Sequence, residues 1–345
     1  MIFKRKIKTK LIRAASPGDP GVREAAEILK KGGLVAIPTE TVYGLAADAL
    51  SPFAAKKIFA AKGRPQDNPL IVHISSLPQL RPLVMDIPEP ARKLIEKFWP
   101  GPLTLIFKRS GLTPKEVSAG LDTLAVRMPS HPVARAVIEA AGLPLAAPSA
   151  NISGGPSPTS AAHCMRDLAG RIDAVVDAGG CAVGVESTVV DLTGAVPVVL
   201  RPGGVTLEQL RAVVPETELS GAVTSPPADG EPVLSPGVKY KHYSPKAKMI
   251  LCDGAPERFA EYVNARAGDG VFALCFEEDA KRVRIPVYGG AEDANAQARL
   301  LFAKLRELDD RGAKLVYAHC PDKNGLGLAV YNRLLRACAF ETVRL

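Results

Sequence analysis

Gly32-Gly33-Leu34-Val35-Ala36-Ile37-Pro38-Thr39-Glu40-Thr41-Val42-Tyr43-Gly44 sets the fold class. A glycine pair closes a helix, four apolar residues follow without a break, and hydroxyls begin where the apolar run stops. Such a run reads as a buried strand. Polar groups at its carboxyl end occupy the usual ligand edge of an α/β sheet. Upstream, Asp19-Pro20 supplies an N-cap and a first-turn proline for a helix whose Val22, Ala25, Ala26 and Leu29 share one face. Downstream, Ser51-Pro52 repeats the signal, and that helix runs to Gly63. Further strands are predicted at 69–75, 102–108, 123–128, 144–148, 174–178, 185–192 and 197–200, with helices at 88–98, 131–141 and 160–169. This alternation gives one α/β or α+β domain.

The chain has 345 residues, 44 Lys+Arg against 36 Asp+Glu, and a net charge of +8. With 47% apolar and 23% charged residues it is expected to fold, into two domains at this length. No apolar stretch approaches the ~18 residues of a membrane span. The basic start (Lys4, Arg5, Lys6, Lys8, Lys10, Arg13) has no apolar run behind it and reads as a charged strand or arm, not a signal peptide. Six cysteines without a C-x-x-C pair fit reduced thiols in a cytoplasmic protein and disfavour a zinc site. The basic balance favours anionic partners such as nucleotides or RNA without naming one.

Between Arg211 and Lys239 there is no Lys or Arg, and Pro, Gly, Ser and Thr dominate. The expected division is a first domain at 11–212, a linker at 213–245 and a second domain at 246–345. The linker ends in Ser235-Pro236-Gly237-Val238-Lys239-Tyr240-Lys241-His242-Tyr243-Ser244-Pro245, richer in functional side chains than a tether requires. In the second domain, strands at 248–252, 271–276, 284–288 and 314–319 alternate with helices near 256–267, 291–310 and 326–339, predicting a small parallel, Rossmann-like layer. Gly325-Leu326-Gly327 lacks a third glycine and a preceding strand, so it reads as packing at a helix start.

Four groups of residues could carry chemistry, and each also has a plain structural explanation. Thr39 and Thr41 could hold a substrate hydroxyl or amine, or simply bond their own turn. Lys62 and Arg64 bracket a glycine and could grip one anion, or complement a helix C-terminus. Asn68 and His73 follow them. Ser149 and Asn151 lead into Ser153-Gly154-Gly155-Pro156-Ser157-Pro158-Thr159, a place for an anion or an ordinary turn. Arg127 ends an apolar strand and needs an anionic partner, either a ligand or an Asp or Glu that spacing cannot identify. Ser187 and Arg201 lie in two further polar strand ends. There is no phosphate-binding G-x-x-x-x-G-K-[ST] loop, no G-x-S-x-G elbow, no H-E-x-x-H and no kinase signature. Composition and spacing stop at an anion-binding α/β domain.

Seven stretches together resemble the threonylcarbamoyl-AMP synthase family in its two-domain form. They are PTETVYGL at 38–45, AKGRPQDNPLIVHI at 61–74, FWPGPLTLI at 98–106, LAVRMP at 124–129, PSANISGGPSPT at 148–159, ESTVVDL at 186–192 and LRPGG at 200–204. They come in the family's order, and SPGVKYKHYSP and GLGLAVYNRLLRA resemble the linker and C-terminal domain of the long form. The resemblance implies a YrdC-like twisted mixed sheet with helices around a positively charged cavity, plus the smaller Rossmann-like domain. It implies condensation of L-threonine, bicarbonate or carbon dioxide, and ATP into threonylcarbamoyl-adenylate and pyrophosphate, for threonylcarbamoylation of tRNA beside the anticodon. It further implies Lys62 and Arg64 as catalytic residues. Threonine would lie among Thr39, His73, Arg127 and Ser187. ATP would be held by Lys62, Arg64, Asn68, Thr123, Ser149, Asn151, Thr159, Arg201 and Tyr240, with Mg²⁺ on its phosphates and the tyrosine-bearing linker as a lid. tRNA and a threonylcarbamoyl transferase complex are the implied partners, and a membrane is not. Two rival readings are a carbamoyl-adenylate step from carbamoyl phosphate, which would bring paired-cysteine zinc fingers this sequence lacks, and an RNA-binding module.

Overall fold

The apolar run at 34–37 becomes the strand Val35–Ile37, fully buried, in a computed structural model that describes residues 7–225 and 243–345. The helix before it, Pro20–Lys30, opens on Pro20 and buries Val22, Ala25, Ala26 and Leu29. Ser51 caps the helix Pro52–Lys62 by accepting a hydrogen bond from the Ala54 amide, and Gly63 ends it in the left-handed conformation at φ 61°.

Eleven strands form one sheet in the first lobe. Across it run Lys10–Arg13, Ala174–Asp177, Val35–Ile37, Gly44–Asp48, Leu145–Ala146, Ile71–His73, Thr123–Arg127, Leu103–Lys108, Thr188–Asp191, Val198–Arg201 and Glu218–Leu219. Parallel and antiparallel pairings mix. Helices cover both faces, giving two apolar clusters, one around Ile58, Leu105 and Val126 and one around Leu29, Ile37 and Val137. The sheet is the twisted mixed α/β layer expected.

Three details depart from the expectations. Gly44–Asp48 is a strand although Gly-Leu-Ala-Ala-Asp has no β-branched residue, because it lies mid-sheet between two partners. Residues 213–225 are no tether. Val214, Thr217 and Val223 are buried, and Glu218–Leu219 adds to the sheet beside Val198–Val199. Residues 226–242 of the expected linker, including Tyr240, lie outside the described residues. In the second lobe, 284–288 makes only a bridge from Val287 to Cys275, since Pro286 has no N–H to extend a ladder. The fourth strand is Thr342–Arg344 instead. The order Val271–Leu274, Leu315–His319, Lys248–Asp253, Thr342–Arg344 is parallel throughout, as a Rossmann-like layer requires.

The lobes share a core. Val42 and Val185 of the first pack with Phe302, Leu334 and Tyr243. At this seam Gly184 has φ +85°, and a Cβ there would sit 2.3 Å from Arg299 Cα and 2.4 Å from the Ala298 carbonyl oxygen. Both contacts are backbone and cannot yield cheaply. Gly184→Ala is therefore expected to destabilise the protein by about 1–3 kcal/mol. Unchanged midpoints in denaturant unfolding would show that the seam is looser than drawn. All six cysteines are free thiols, five of them buried.

Candidate active site

Strand register brings the key side chains into one row. His73 pairs with Arg127 across a parallel ladder, and Arg127 pairs with Thr104 across an antiparallel one. Thr104 Oγ1 then lies 2.8 Å from Ser187 Oγ, just before the next strand. His73, Arg127 and Ser187 of this row face a cleft, partly open to solvent, whose walls include Thr39, Thr41, Arg64, Ser149, Arg201 and Tyr243.

Arg127 is almost fully buried. Its Nη2 meets Glu40 Oε1 at 2.6 Å, its Nη1 donates to Thr41 Oγ1 at 2.8 Å and its Nε donates to the Gly101 carbonyl at 3.2 Å. Glu40 is the partner that sequence spacing could not name. Burial alone would raise the Glu40 carboxyl, but the adjacent guanidinium outweighs it and holds the group below its ordinary value. Thr39 Oγ1 donates to the Val42 carbonyl at 2.6 Å and accepts from the Thr41 and Val42 amides. It thus satisfies its own turn while lining the cleft.

His73 is buried with Nδ1 3.3 Å from the Ile71 carbonyl, so that nitrogen carries the proton and Nε2 is left as an acceptor. Burial, reinforced by Arg127, lowers its pKa to about 3. The imidazole is therefore an acceptor at neutral pH and no base. Because the unfolded chain takes up this proton near pH ~6.5, the stability this difference confers is complete above that value and is lost as pH falls toward 3. Melting temperature is expected to drop less steeply between pH 6.5 and 4 in His73→Gln than in the wild type, and parallel curves would contradict the buried neutral imidazole.

Lys62 and the 149–155 loop form a second unit. Lys62 Nζ donates to the Asn151 carbonyl at 2.6 Å, to Asn151 Oδ1 at 3.4 Å and to the Ser149 carbonyl. Ser149 Oγ donates to Asn151 Oδ1 at 2.6 Å, and Asn151 Nδ2 ties down the Ile152 and Gly155 carbonyls. Burial, then the nearby Arg64, lowers the Lys62 pKa well below the usual lysine value. Its amine thus sits behind the loop that carries Ser149, whereas the expectation set it at phosphates. Arg64 does reach the cleft, with its fork braced on the Asn68 and Pro69 carbonyls. Asn68 is buried beside it.

Arg201 Nε donates to the Ser187 carbonyl at 3.1 Å and Nη2 to Ser187 Oγ at 3.3 Å, so it shapes the cleft wall. Two expected residues lie elsewhere. Thr123 opens the strand that Arg127 ends, four residues or about 13 Å away, and borders a separate recess with Lys108 and Thr193. Thr159 faces His163, with Oγ1 3.5 Å from Nδ1. Glu186 and Tyr243 line the cleft beyond the expected set, and Glu40 and Thr104 stand behind its wall, bonded to Arg127 and Ser187. Glu40 had a signal, a carboxylate inside a buried hydroxyl motif. Thr104 had none beyond its strand.

Among the described residues no three His, Cys, Asp or Glu side chains group as a metal site, and no helix is long and apolar enough to cross a membrane.

This is the arrangement of a YrdC-like α/β protein with an arginine-walled cleft, joined to a small parallel α/β lobe. Residues 27–203 match the family model described as "Telomere recombination", and 205–339 match "Threonylcarbamoyl-AMP synthase, C-terminal domain". The threonylcarbamoyl-AMP synthase of Pyrococcus abyssi is 44% identical over 333 residues, covering 94% of this chain and 95% of the relative. That of Bacillus subtilis is 44% identical over 336 residues, 95% of this chain and 96% of the relative. A crystal structure of P. abyssi Sua5 complexed with L-threonine superposes with a TM-score of 0.90 at 42% identity, covering 98% of this chain and 99% of that one. The chain belongs to the threonylcarbamoyl-AMP synthase family, in its two-domain form.

Proposed function

We propose that the chain condenses L-threonine, carbon dioxide or bicarbonate, and ATP into threonylcarbamoyl-AMP and pyrophosphate. The observation that carries this reading is the convergence of Arg64, Arg127 and Arg201 on one cleft with His73 and Ser187 between them. Two anionic ligands, an amino acid carboxylate and a triphosphate, need such a set. The full-length likeness to relatives bearing that name, and to a threonine-bound structure, supports it.

In this reading Arg127 offers the threonine carboxylate a fork whose orientation Glu40 and Thr41 already fix. His73 Nε2 and the Ser187 hydroxyl order the threonine hydroxyl and amine, and Thr39 shapes the wall beside them. Threonine's free amine adds to carbon dioxide and loses a proton to solvent, giving a carbamate. A carbamate oxygen attacks the α-phosphorus and pyrophosphate leaves with the electron pair of the broken P–O bond. Such a transfer depends on alignment and charge neutralisation, not on a covalent nucleophile. Arg64, Arg201 and Ser149 hold the triphosphate, and Lys62 and Asn151 hold the loop that presents Ser149. Glu40 and Glu186 are both engaged by guanidinium groups, so Mg²⁺ would arrive on the triphosphate and supply charge neutralisation there. Serving tRNA with an adenylate made from ATP makes the cytoplasm its place of work and a threonylcarbamoyl transferase its recipient.

The test is incubation of purified protein with ATP, threonine and labelled bicarbonate without RNA. Label in an adenylate, with equimolar pyrophosphate dependent on threonine, is expected. Salt-sensitive RNA binding without turnover would replace the enzyme with a binding module.

A further inference from the structure

The second lobe sends one guanidinium into the first. Arg333, on the helix Gly327–Ala337, is completely buried, and its Nε lies 2.8 Å from Glu186 Oε2. Its Nη1 donates to Asn332 Oδ1 at 2.9 Å, while Asn332 Nδ2 donates to the Val223 carbonyl at 2.8 Å, so the guanidinium is aimed from two sides. The other Glu186 oxygen accepts from Ser157 Oγ. Glu186 lines the cleft and directly precedes Ser187, whose carbonyl and hydroxyl are the atoms Arg201 grips.

A carboxylate at that place works against the site unless it is paired. It would face two anionic substrates from a buried position, and it would attract Arg201 away from Ser187. Arg333 cancels the charge and fixes the peptide at 186–187. With Arg333 and Arg201 near, the carboxyl stays ionised despite burial that would otherwise raise its pKa.

We propose that Arg333 is a positioning residue of the cleft, supplied by the second lobe, which holds Glu186 so that Ser187 and Arg201 face the substrates. The second lobe then completes the threonine and ATP subsites without touching the reacting atoms. This rests on the synthase reading above.

The experiment measures threonine-dependent pyrophosphate release and melting temperature for wild type, Arg333→Gln, Arg333→Lys and the double variant Arg333→Gln/Glu186→Gln. Arg333→Gln is expected to raise KM for threonine and ATP about tenfold or more with a smaller change in kcat, and the double variant, having no unpaired carboxylate, to recover most of that loss in KM for ATP. Arg333→Lys, with charge but no fork, is expected to fall between. A folded Arg333→Gln with wild-type constants would overturn the proposal. So would equal losses in all three variants, the mark of a purely structural role. If Arg333→Gln does not fold, Arg333→Lys decides: a raised KM at wild-type melting temperature supports the proposal, and unchanged constants overturn it. A wild-type protein without turnover would refute the synthase reading itself, and this inference with it.

Discussion

Arg127→Met is expected to abolish threonine-dependent pyrophosphate release and to cost about 3–5 kcal/mol of stability. The side chain that would receive the substrate carboxylate is also the sole charged partner the described residues give Glu40. Removing it leaves a carboxylate about one-tenth exposed, already with one oxygen, Oε2, lacking a partner among the described residues. The two losses separate in Arg127→Met/Glu40→Gln, which should regain much of the stability and none of the activity. Denaturant unfolding and a pyrophosphate assay on the same preparations read both. A single variant as stable as wild type would mean that Glu40 is not buried as an ion.

Lys62→Ala and Arg64→Ala should each reduce turnover at least about a hundredfold, yet for different reasons. Arg64 borders the cleft, so its loss would remove the proposed phosphate contact, while its former acceptors are backbone carbonyls. Lys62 is 1% exposed and satisfies two carbonyls of the Ser149–Asn151 turn. Its removal strands them, at about 1–3 kcal/mol, and releases the loop that carries Ser149. Stability should therefore fall in both variants, and further in Lys62→Ala, whose side chain is the more completely buried. Unchanged pyrophosphate release from either variant would remove that residue from the site, and equal unfolding midpoints would return Lys62 to the cleft wall.

Much of this was legible before any coordinates. The unbroken run at 34–37 and the cap signals at Ser51 and Gly63 act locally, and they became the strand and helix they specify. Gly44–Asp48 was invisible because its strand character comes from neighbours in the sheet, not from its own side chains. The 213–225 segment looked like a tether because its few apolar residues, Val213, Val214, Leu219, Ala222 and Val223, are scattered among Pro, Gly and polar residues. The cleft was readable in part. Arg127 announced a need for an anion, but the answer, Glu40, lies 87 residues earlier in the chain. Thr104, Ser187 and His73 meet through strand register, which no spacing along the chain encodes. Thr123 was placed in the site by the family resemblance, although the strand's length sets it at the far end.

The joint between the lobes has a consequence for ionic strength. Its two inner pairs, Arg333 with Glu186 and Arg306 with Asp167, have side chains exposed by 15% or less, whereas Arg166 with Asp310 at the rim is about half exposed on both sides. Dissolved ions screen charges they can approach, over roughly 8 Å at physiological strength, and leave enclosed ones nearly untouched. Added potassium chloride should thus weaken the pull of the open cleft on a triphosphate while the lobes stay clasped. Substrate capture and domain cohesion, both electrostatic, answer to the medium separately.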